Sequence, residues 1–309
     1  MPPKDLIGEV FSQLKLQKFE TSIVSIEHVQ DLQYVMEKHH EQGIFSDELY
    51  NEWIAKFDFG LPENLPNVRS LIVVAAPQPQ FQVTFRWNAE SHSFIIPPNY
   101  LCYSDRQVEN TLSRILGHEK SVMANNSLPK KLLAVRSGLA KYGRNNLVYI
   151  PGMGSFHRLI IFYSNLPYPK HTWQEVQMME ECRECEACLR GCPTGAISSD
   201  RFLLCAERCI SFYNERAGDF PEWIKPSSHN ALLGCLTCQG VCPLNKPFLQ
   251  WIDNRAQFSE EETALLLQDV PQERLAAATI RKIEELDCLE YINVLGRNLS
   301  VLLKKKGKL

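Results

Sequence analysis

No apolar run in the 309-residue chain approaches the ~18 residues a helix needs to cross a bilayer, so a membrane protein is not expected. Positive charge is not in excess either. With 33 Lys and Arg against 36 Asp and Glu the formal charge is −3, which leaves no global field for a nucleic acid; such binding would need a local patch. The start, Met1-Pro-Pro-Lys-Asp-Leu6, has neither a basic-then-apolar signal pattern nor a twin arginine, so the expected compartment is the cytoplasm. Repeats at solenoid periods are absent. Hydrophobic residues at 44% and charged residues at 22% exclude a disordered or fibrous chain and allow a sizeable core without disulfides.

Cysteine is the exception to this ordinary composition. There are 11, and nine of them, Cys182, Cys185, Cys188, Cys192, Cys205, Cys209, Cys235, Cys238 and Cys242, share one window, with Cys102 and Cys288 outside it as isolated small hydrophobes. Without a secretory pattern the cluster reads as reduced thiolates for metal rather than as a disulfide framework.

Cys182-x-x-Cys185-x-x-Cys188-x-x-x-Cys192-Pro193 has the bacterial ferredoxin spacing, in which three close thiolates hold one cubane and the fourth, followed by Pro, crosses to another. Cys235-x-x-Cys238-x-x-x-Cys242-Pro243 is a second run that lacks one upstream member, and Cys205 and Cys209 are the nearby candidates. Eight ligands make two 4Fe-4S clusters. By the crossing rule one takes Cys182, Cys185, Cys188 and Cys242, the other Cys192, Cys235, Cys238 and either Cys205 or Cys209; spacing does not choose between the last two. Structural zinc also uses C-x-x-C pairs, but it has no use for a third Cys at the same spacing followed by Cys-Pro.

Ahead of the cysteines, helical and strand patterns alternate. Leu6, Val10, Phe11 and Leu14 share a helical face, Thr21 to Ile26 reads as a strand, and Asp31 to Gln42 as a helix. The apolar run within 67–76 reads as a buried strand. Phe81, Val83, Phe85 and Trp87 alternate before a turn at 88–91 and a return run, as in a hairpin laid on the main sheet. Asp105 is placed to cap a helix running to about Leu116, and a further helix is expected over 129–142. Strands at 146–150 and 157–163 flank Pro151-Gly-Met-Gly-Ser155. From about 174 the chain reads as helix and loop, helical after Pro247, with a solvated and frayed lysine tail. The expected architecture is α/β: a mixed-sheet domain at 1–173, a ferredoxin-like double-cluster domain at 174–250, and C-terminal helices at 251–309.

A domain of that size ahead of two clusters is more than a ferredoxin needs and suggests a second redox centre. Gly152-x-Gly154 follows a strand, yet His157 stands where a dinucleotide fingerprint needs its third glycine, and a strand follows where a helix should. The Asp-x-His-x-x-Gly motif of methyltransferase-type cobalamin domains is also missing.

The stretch Leu128-Pro-Lys-Lys-Leu-Leu-Ala-Val-Arg-Ser-Gly-Leu-Ala-Lys-Tyr-Gly-Arg-Asn-Asn146, then Gly154-Ser155, the cysteine run, Arg208-Cys-Ile-Ser211 and Gly234-Cys-x-x-Cys-Gln-x-Val-Cys-Pro-Leu-Asn-Lys246 resemble the epoxyqueuosine reductase family over roughly residues 20 to 250. The resemblance implies a cobalamin-binding domain of nitroreductase-like or reductive-dehalogenase-like type, with base-off corrinoid, ahead of the double-cluster domain. It favours Cys209 as the eighth ligand and places the Gly152, Gly154 and Ser155 loop near the corrinoid. Electrons would pass from an external donor such as a ferredoxin or flavodoxin to the clusters, to cobalt, and to a substrate. Arg136, Arg144 and Asn145 become candidates for holding the cofactor or an anionic substrate, and Tyr100 and Tyr103 for giving a proton. The chain departs from the family where an acidic proton donor precedes the Leu128-Pro129 segment: Asn125, Asn126 and Ser127 stand there, and an amide cannot act as a carboxylic acid. With the acidic charge balance this disfavours a tRNA base and points to a small-molecule or nucleoside substrate. A rival reading is an electron-transfer protein that serves a partner without corrinoid or substrate of its own.

Overall fold

The computed structural model describes residues 3–117, 121–123, 128–168 and 173–309. Its elements begin with α1 (Pro3–Leu16), β1 (Glu20–Ser25), α2 (His28–Glu41), α3 (Asp47–Glu52), β2 (Ser70–Pro77), β3 (Gln80–Trp87) and β4 (Glu90–Ile96). They continue with α4 (Tyr103–Leu116), β5 (Ser121–Met123), α5 (Lys130–Arg136), β6 (Lys141–Tyr142), β7 (Val148–Tyr149) and β8 (His157–Ser164). The last are α6 (Ala187–Gly191), α7 (Ile210–Asn214), α8 (Thr237–Gly240), β9 (Ile252–Phe258), α9 (Glu260–Leu267), α10 (Ala277–Glu285) and α11 (Ile292–Lys305). Two compact units result: Met1–Pro77 with Tyr103–Cys185, and Gln78–Cys102 with Glu186–Leu309. No helix among the described residues is long and apolar enough to cross a membrane.

The first unit is built on the sheet β1-β2-β8-β5, whose described pairings are antiparallel. Side chains alternate across a strand, so the continuous apolar run of β2 serves two cores. Leu71, Val73 and Ala75 join Val29 and Leu32 of α2 and Leu132 and Leu133 of α5, while Ile72, Val74 and Ala76 join Val10 and Leu14 of α1 and Val108 and Leu112 of α4. Helices on both faces explain why β2 and β8 lack polar alternation.

Two details differ from the sequence reading. The helix expected over 129–142 ends at Arg136, because Gly138 turns left-handed at φ 76° and closes the C-terminus with bonds back to Val135 and, through Leu139, to Ala134. Asp105 lies inside the first turn of α4 and forms a buried ion pair with Arg158 of β8, Nη2 to Oδ2 at 2.7 Å.

In the second unit the β3–β4 hairpin is not laid on the main sheet. It pairs instead with β9, which runs parallel to β3, and Phe85 stacks on Phe258 at 4.9 Å. The segment after Pro247 thus contributes a strand before it turns helical. The lysine tail is tied down rather than frayed: Lys308 pairs with Glu90 at 2.8 Å, Lys305 donates to the His229 carbonyl at 2.6 Å, and Lys306 lies over the Phe94 ring. Asn298, fully buried on α11, donates to the carbonyls of Asn214 and Leu232.

Helix α11 approaches α9 so closely that a Cβ at Gly296 would lie 2.0 Å from the Leu266 carbonyl oxygen. Backbone cannot swing aside as a side chain does, so the helices would have to part. Replacing Gly296 with Ala should lower stability by about 1–3 kcal/mol in spite of its better helix propensity. A urea midpoint equal to that of the parent would contradict the close packing.

Candidate metal centre

The first half of the cysteine run is held by the hairpin β6–β7. Tyr142 and Met178 form a parallel bridge, and the Met179 N–H donates to the Tyr142 carbonyl at 2.8 Å. The hairpin loop is fixed within itself. Gly143 N–H donates to the Leu147 carbonyl at 2.8 Å, Asn145 Nδ2 donates to the Tyr149 hydroxyl at 3.0 Å, and Leu147 N–H donates to Asn145 Oδ1 at 3.2 Å. Gly143 is required there, since a Cβ would lie 2.6 Å from the Tyr149 ring, and Asn146 supplies the left-handed residue at φ 56°. From this loop Arg144 sends its guanidinium onto the run: Nη2 donates to the carbonyls of Cys182 at 2.8 Å and Arg183 at 3.0 Å, and Nε to that of Cys185 at 3.1 Å.

In the second unit the two runs adopt the same local form. Cys188 lies on α6 and Cys238 on α8; the helices pack together, and a Cβ at Gly191 would already touch Val241 at 3.1 Å. Each helix is followed by a Cys-Pro pair. Cys192 has φ −70° and ψ 113°, Cys242 φ −74° and ψ 123°, because a residue before proline is driven out of the helical region. Proline therefore ends each helix and turns its last cysteine away from the helical path.

The sulfurs sit among hydrogen-bond donors. Burial pushes the Cys192 thiol up, but the Thr194 N–H and hydroxyl, with the N–H groups of Ala196 and Ile197, outweigh it and hold the thiol below its ordinary value. Asn230 Nδ2 donates to Cys235 Sγ at 3.2 Å and to Thr237 Oγ1 at 2.6 Å, while its Oδ1 accepts from the Leu236 N–H at 2.8 Å. Burial pushes the Cys209 thiol up to about 11, with neighbouring Cys235 and then Cys192 adding to the shift. Cys209 is thus within electrostatic reach of both, whereas Cys205 meets Arg201 Nη1 at 3.8 Å. Among the described residues no three of His, Cys, Asp and Glu converge on a single-ion site; cubane thiolates bind separate irons and need not converge. No disulfide joins any of the eleven cysteines.

The remaining candidates lie on several elements. Tyr100, in the second unit, is half-buried; its hydroxyl donates to Glu215, and desolvation first, then Glu215, holds the phenol far above its usual range. Its ring fills the space beside Gly234, the residue before Cys235. Tyr103 opens α4 in the first unit and is 56% exposed. Asn126 lies outside the described residues. Arg136 donates to the Gln174 carbonyl at 3.1 Å, pairs with Glu175 and covers Trp173, while its buried Nε has no partner. Gly152 and Gly154 take φ 79° and 56° in the turn before β8, bridged by Ile150 and Gly154, with Ser155 buried behind them. Sequence reasoning missed Asn230 and Thr194 as partners of sulfur and Glu215 as the partner of Tyr100. Thr194 follows Cys-Pro directly and was open to notice; Asn230 and Glu215 carry no spacing signal.

Comparison with known proteins agrees with this layout. Residues 181–245 match the family described as a 4Fe-4S double cluster binding domain. The chain is similar to the epoxyqueuosine reductase of Bacillus subtilis strain 168, 35% identical over 127 residues, which are 41% of this chain and 32% of that protein. It is also similar to that of Escherichia coli K12, 37% identical over 115 residues, 37% of this chain and 29% of the relative. These matches span about a third of the relatives' length. The structure of epoxyqueuosine reductase from Streptococcus thermophilus superposes with a TM-score of 0.67 at 18% identity, covering 98% of this chain and 82% of the other, so the fold is shared. An epoxyqueuosine reductase solved with a modified tRNA-Tyr stem loop superposes at 0.65 and 22% identity, covering 99% of this chain and 83% of the other.

His157, at the start of β8, is held down to about pKa 4 by burial, against a weaker opposing bond to the Gly154 backbone, and its Nδ1 has no partner. His229 is likewise lowered to about 4 by burial, then by Arg297 and Lys305. Both rings are neutral in the folded protein, so the unfolded chain binds protons first. Stability should be full above the unfolded value of about 6.5 and fall as the pH drops toward 4. Urea midpoints measured across that window should decline, and His157→Gln should flatten the decline; a pH-independent midpoint would contradict the neutral burial.

Proposed function

We propose that this protein is a corrinoid-dependent iron-sulfur reductase of the epoxyqueuosine reductase type. The observation that carries the reading is the matched pair α6–Cys192-Pro193 and α8–Cys242-Pro243 inside a double-cluster domain. Cys182, Cys185, Cys188 and Cys242 are assigned to one 4Fe-4S cluster, and Cys192, Cys209, Cys235 and Cys238 to the other. Cys209 is preferred to Cys205 on the family resemblance of Arg208-Cys-Ile-Ser211. An external donor such as a ferredoxin or flavodoxin would reduce the clusters.

The Gly152–Ser155 turn is the surface assigned to cobalamin. Gly152 is exposed, and a Cβ there would meet nothing within 4 Å, which leaves the turn open to a flat ligand, while the Ile150–Gly154 bridge keeps it rigid. When bound, cobalamin supplies a strongly reducing and nucleophilic metal. Arg144 and Asn145 serve the hairpin loop and the cysteine run, and Arg136 is engaged by Gln174 and Glu175, so they act as supports rather than as direct cofactor contacts. Of the two tyrosines, Tyr103 is the phenol open to solvent and is the proton donor assigned here; Tyr100 holds its proton on Glu215. The substrate is a small molecule or nucleoside. The tRNA-bound relative makes tRNA the first alternative to test.

Anaerobic reconstitution followed by cobalamin loading and desalting should leave about eight irons and one cobalt per chain. Eight irons without cobalt would remove the corrinoid and leave an electron-transfer protein. Cys209→Ala should lose about half of the iron and Cys205→Ala none, as expected for one cluster of two; the reverse would reassign the eighth ligand. Conversion of epoxyqueuosine in tRNA by the loaded protein would assign the tRNA base as substrate.

A further inference from the structure

We infer that Arg144 is a positioning residue that sets the reduction potential of the first cluster, by clamping the Cys182–Cys185 backbone and fixing an unneutralised positive charge beside it. The inference rests on the cluster assignment proposed above and adds a determinant that cysteine spacing does not carry. Three donor contacts from one guanidinium reach the carbonyls of Cys182, Arg183 and Cys185, at 2.8, 3.0 and 3.1 Å. Two of those carbonyls belong to the ligand residues themselves. A planar fork that spans several acceptors fixes orientation as well as distance, which an ammonium cannot do.

The charge matters as much as the fork. Among the described residues no carboxylate pairs with Arg144, and the side chain is half-buried, so water and salt screen it incompletely. The acidic residues around the run behave differently. Glu180 is exposed and pairs with Arg183 at 2.8 Å, and Glu181 and Glu184 are open to solvent. Their fields are damped, whereas Arg144 faces the turn at hydrogen-bond range. Reduction adds one negative charge to a cluster, and a fixed cation at close range favours that state. The guanidinium should therefore raise the potential of the cluster held by this turn and leave the other nearly unaffected.

The hairpin keeps this charge in place. Loop bonds within residues 143–149 and the bond from Lys131 Nζ to the Asn146 carbonyl at 3.2 Å fix the backbone from which Arg144 projects. The same hairpin docks residues 178–179 just ahead of Cys182. Position and charge are delivered by one rigid element.

The test is an EPR-monitored redox titration of the anaerobically reconstituted 309-residue chain, without cobalamin, donor or substrate. In Arg144→Gln one of the two midpoint potentials should fall while the other stays, and Arg144→Lys should restore most of the loss. Two unmoved potentials in a fully loaded Arg144→Gln protein would overturn the inference while leaving the cluster assignment intact. Where Arg144→Gln takes up only half of the iron, Arg144→Lys decides. Full loading at the parent potential supports a charge role, and half loading in Lys as well reduces Arg144 to a purely structural clamp and overturns it. A parent protein that takes up no iron would bring down the cluster assignment itself and this inference with it.

Discussion

Helices of five and four residues cannot hold cysteines still by their own hydrogen bonds, and α6 and α8 are that short. Any metal centre built on them must take its rigidity from neighbouring structure. Cys182 and Cys185, which lie on neither helix, belong to the first unit and are held there by the β6–β7 hairpin, whose loop is locked by Asn145 and Tyr149 and whose Arg144 grips the chain at both. In the second unit the support is a set of side-chain amides, of which Asn214 and Asn298 are buried. Asn298 binds the carbonyls of Asn214 and Leu232, Asn214 binds that of Gly234, and Asn230 reaches the Cys235 sulfur. These contacts convert a loop-rich segment into a fixed set of thiols.

The electrostatics follow from the same enclosure. A buried thiol resists ionisation, and nearby thiols resist it further, which is why Cys209 titrates high beside Cys235 and Cys192. Iron inverts that situation, because a coordinating thiol is deprotonated outright and the metal charge stabilises it. Around Cys192, backbone N–H groups and the Thr194 hydroxyl already favour the ionised sulfur. Crowded thiols with aimed donors suit a metal cluster better than an apolar core.

Much of the first unit was legible in the sequence. Strands β1, β2 and β8 follow from β-branched runs, and α2 and α4 from helical periodicity, because those patterns record which faces are buried. The shortened α5 was not read, since Ser137-Gly138 ends it inside an otherwise helical pattern. Strand β9 escaped because Ile252-Asp-Asn-Arg-Ala-Gln-Phe258 buries only Ala256 and Phe258, and its partner β3 lies far back in the chain. The lysine tail looked solvated for a similar reason: Glu90, Ser93 and Phe94, which hold it, are remote in sequence.

At the site, the division is between spacing and placement. The sequence alone determined the ligand chemistry, because three thiols at intervals of three followed by Cys-Pro constrain the local chain directly through helix pitch and the proline ring. Only the tertiary structure decided which other side chains serve those sulfurs. The contacts of Arg144 with the Cys182 carbonyl and of Tyr100 with Glu215 carry no spacing signal, and Asn230 came from no expectation at all. Local spacing is written in consecutive residues, whereas contacts across many tens of residues depend on how sheets and helices close around them.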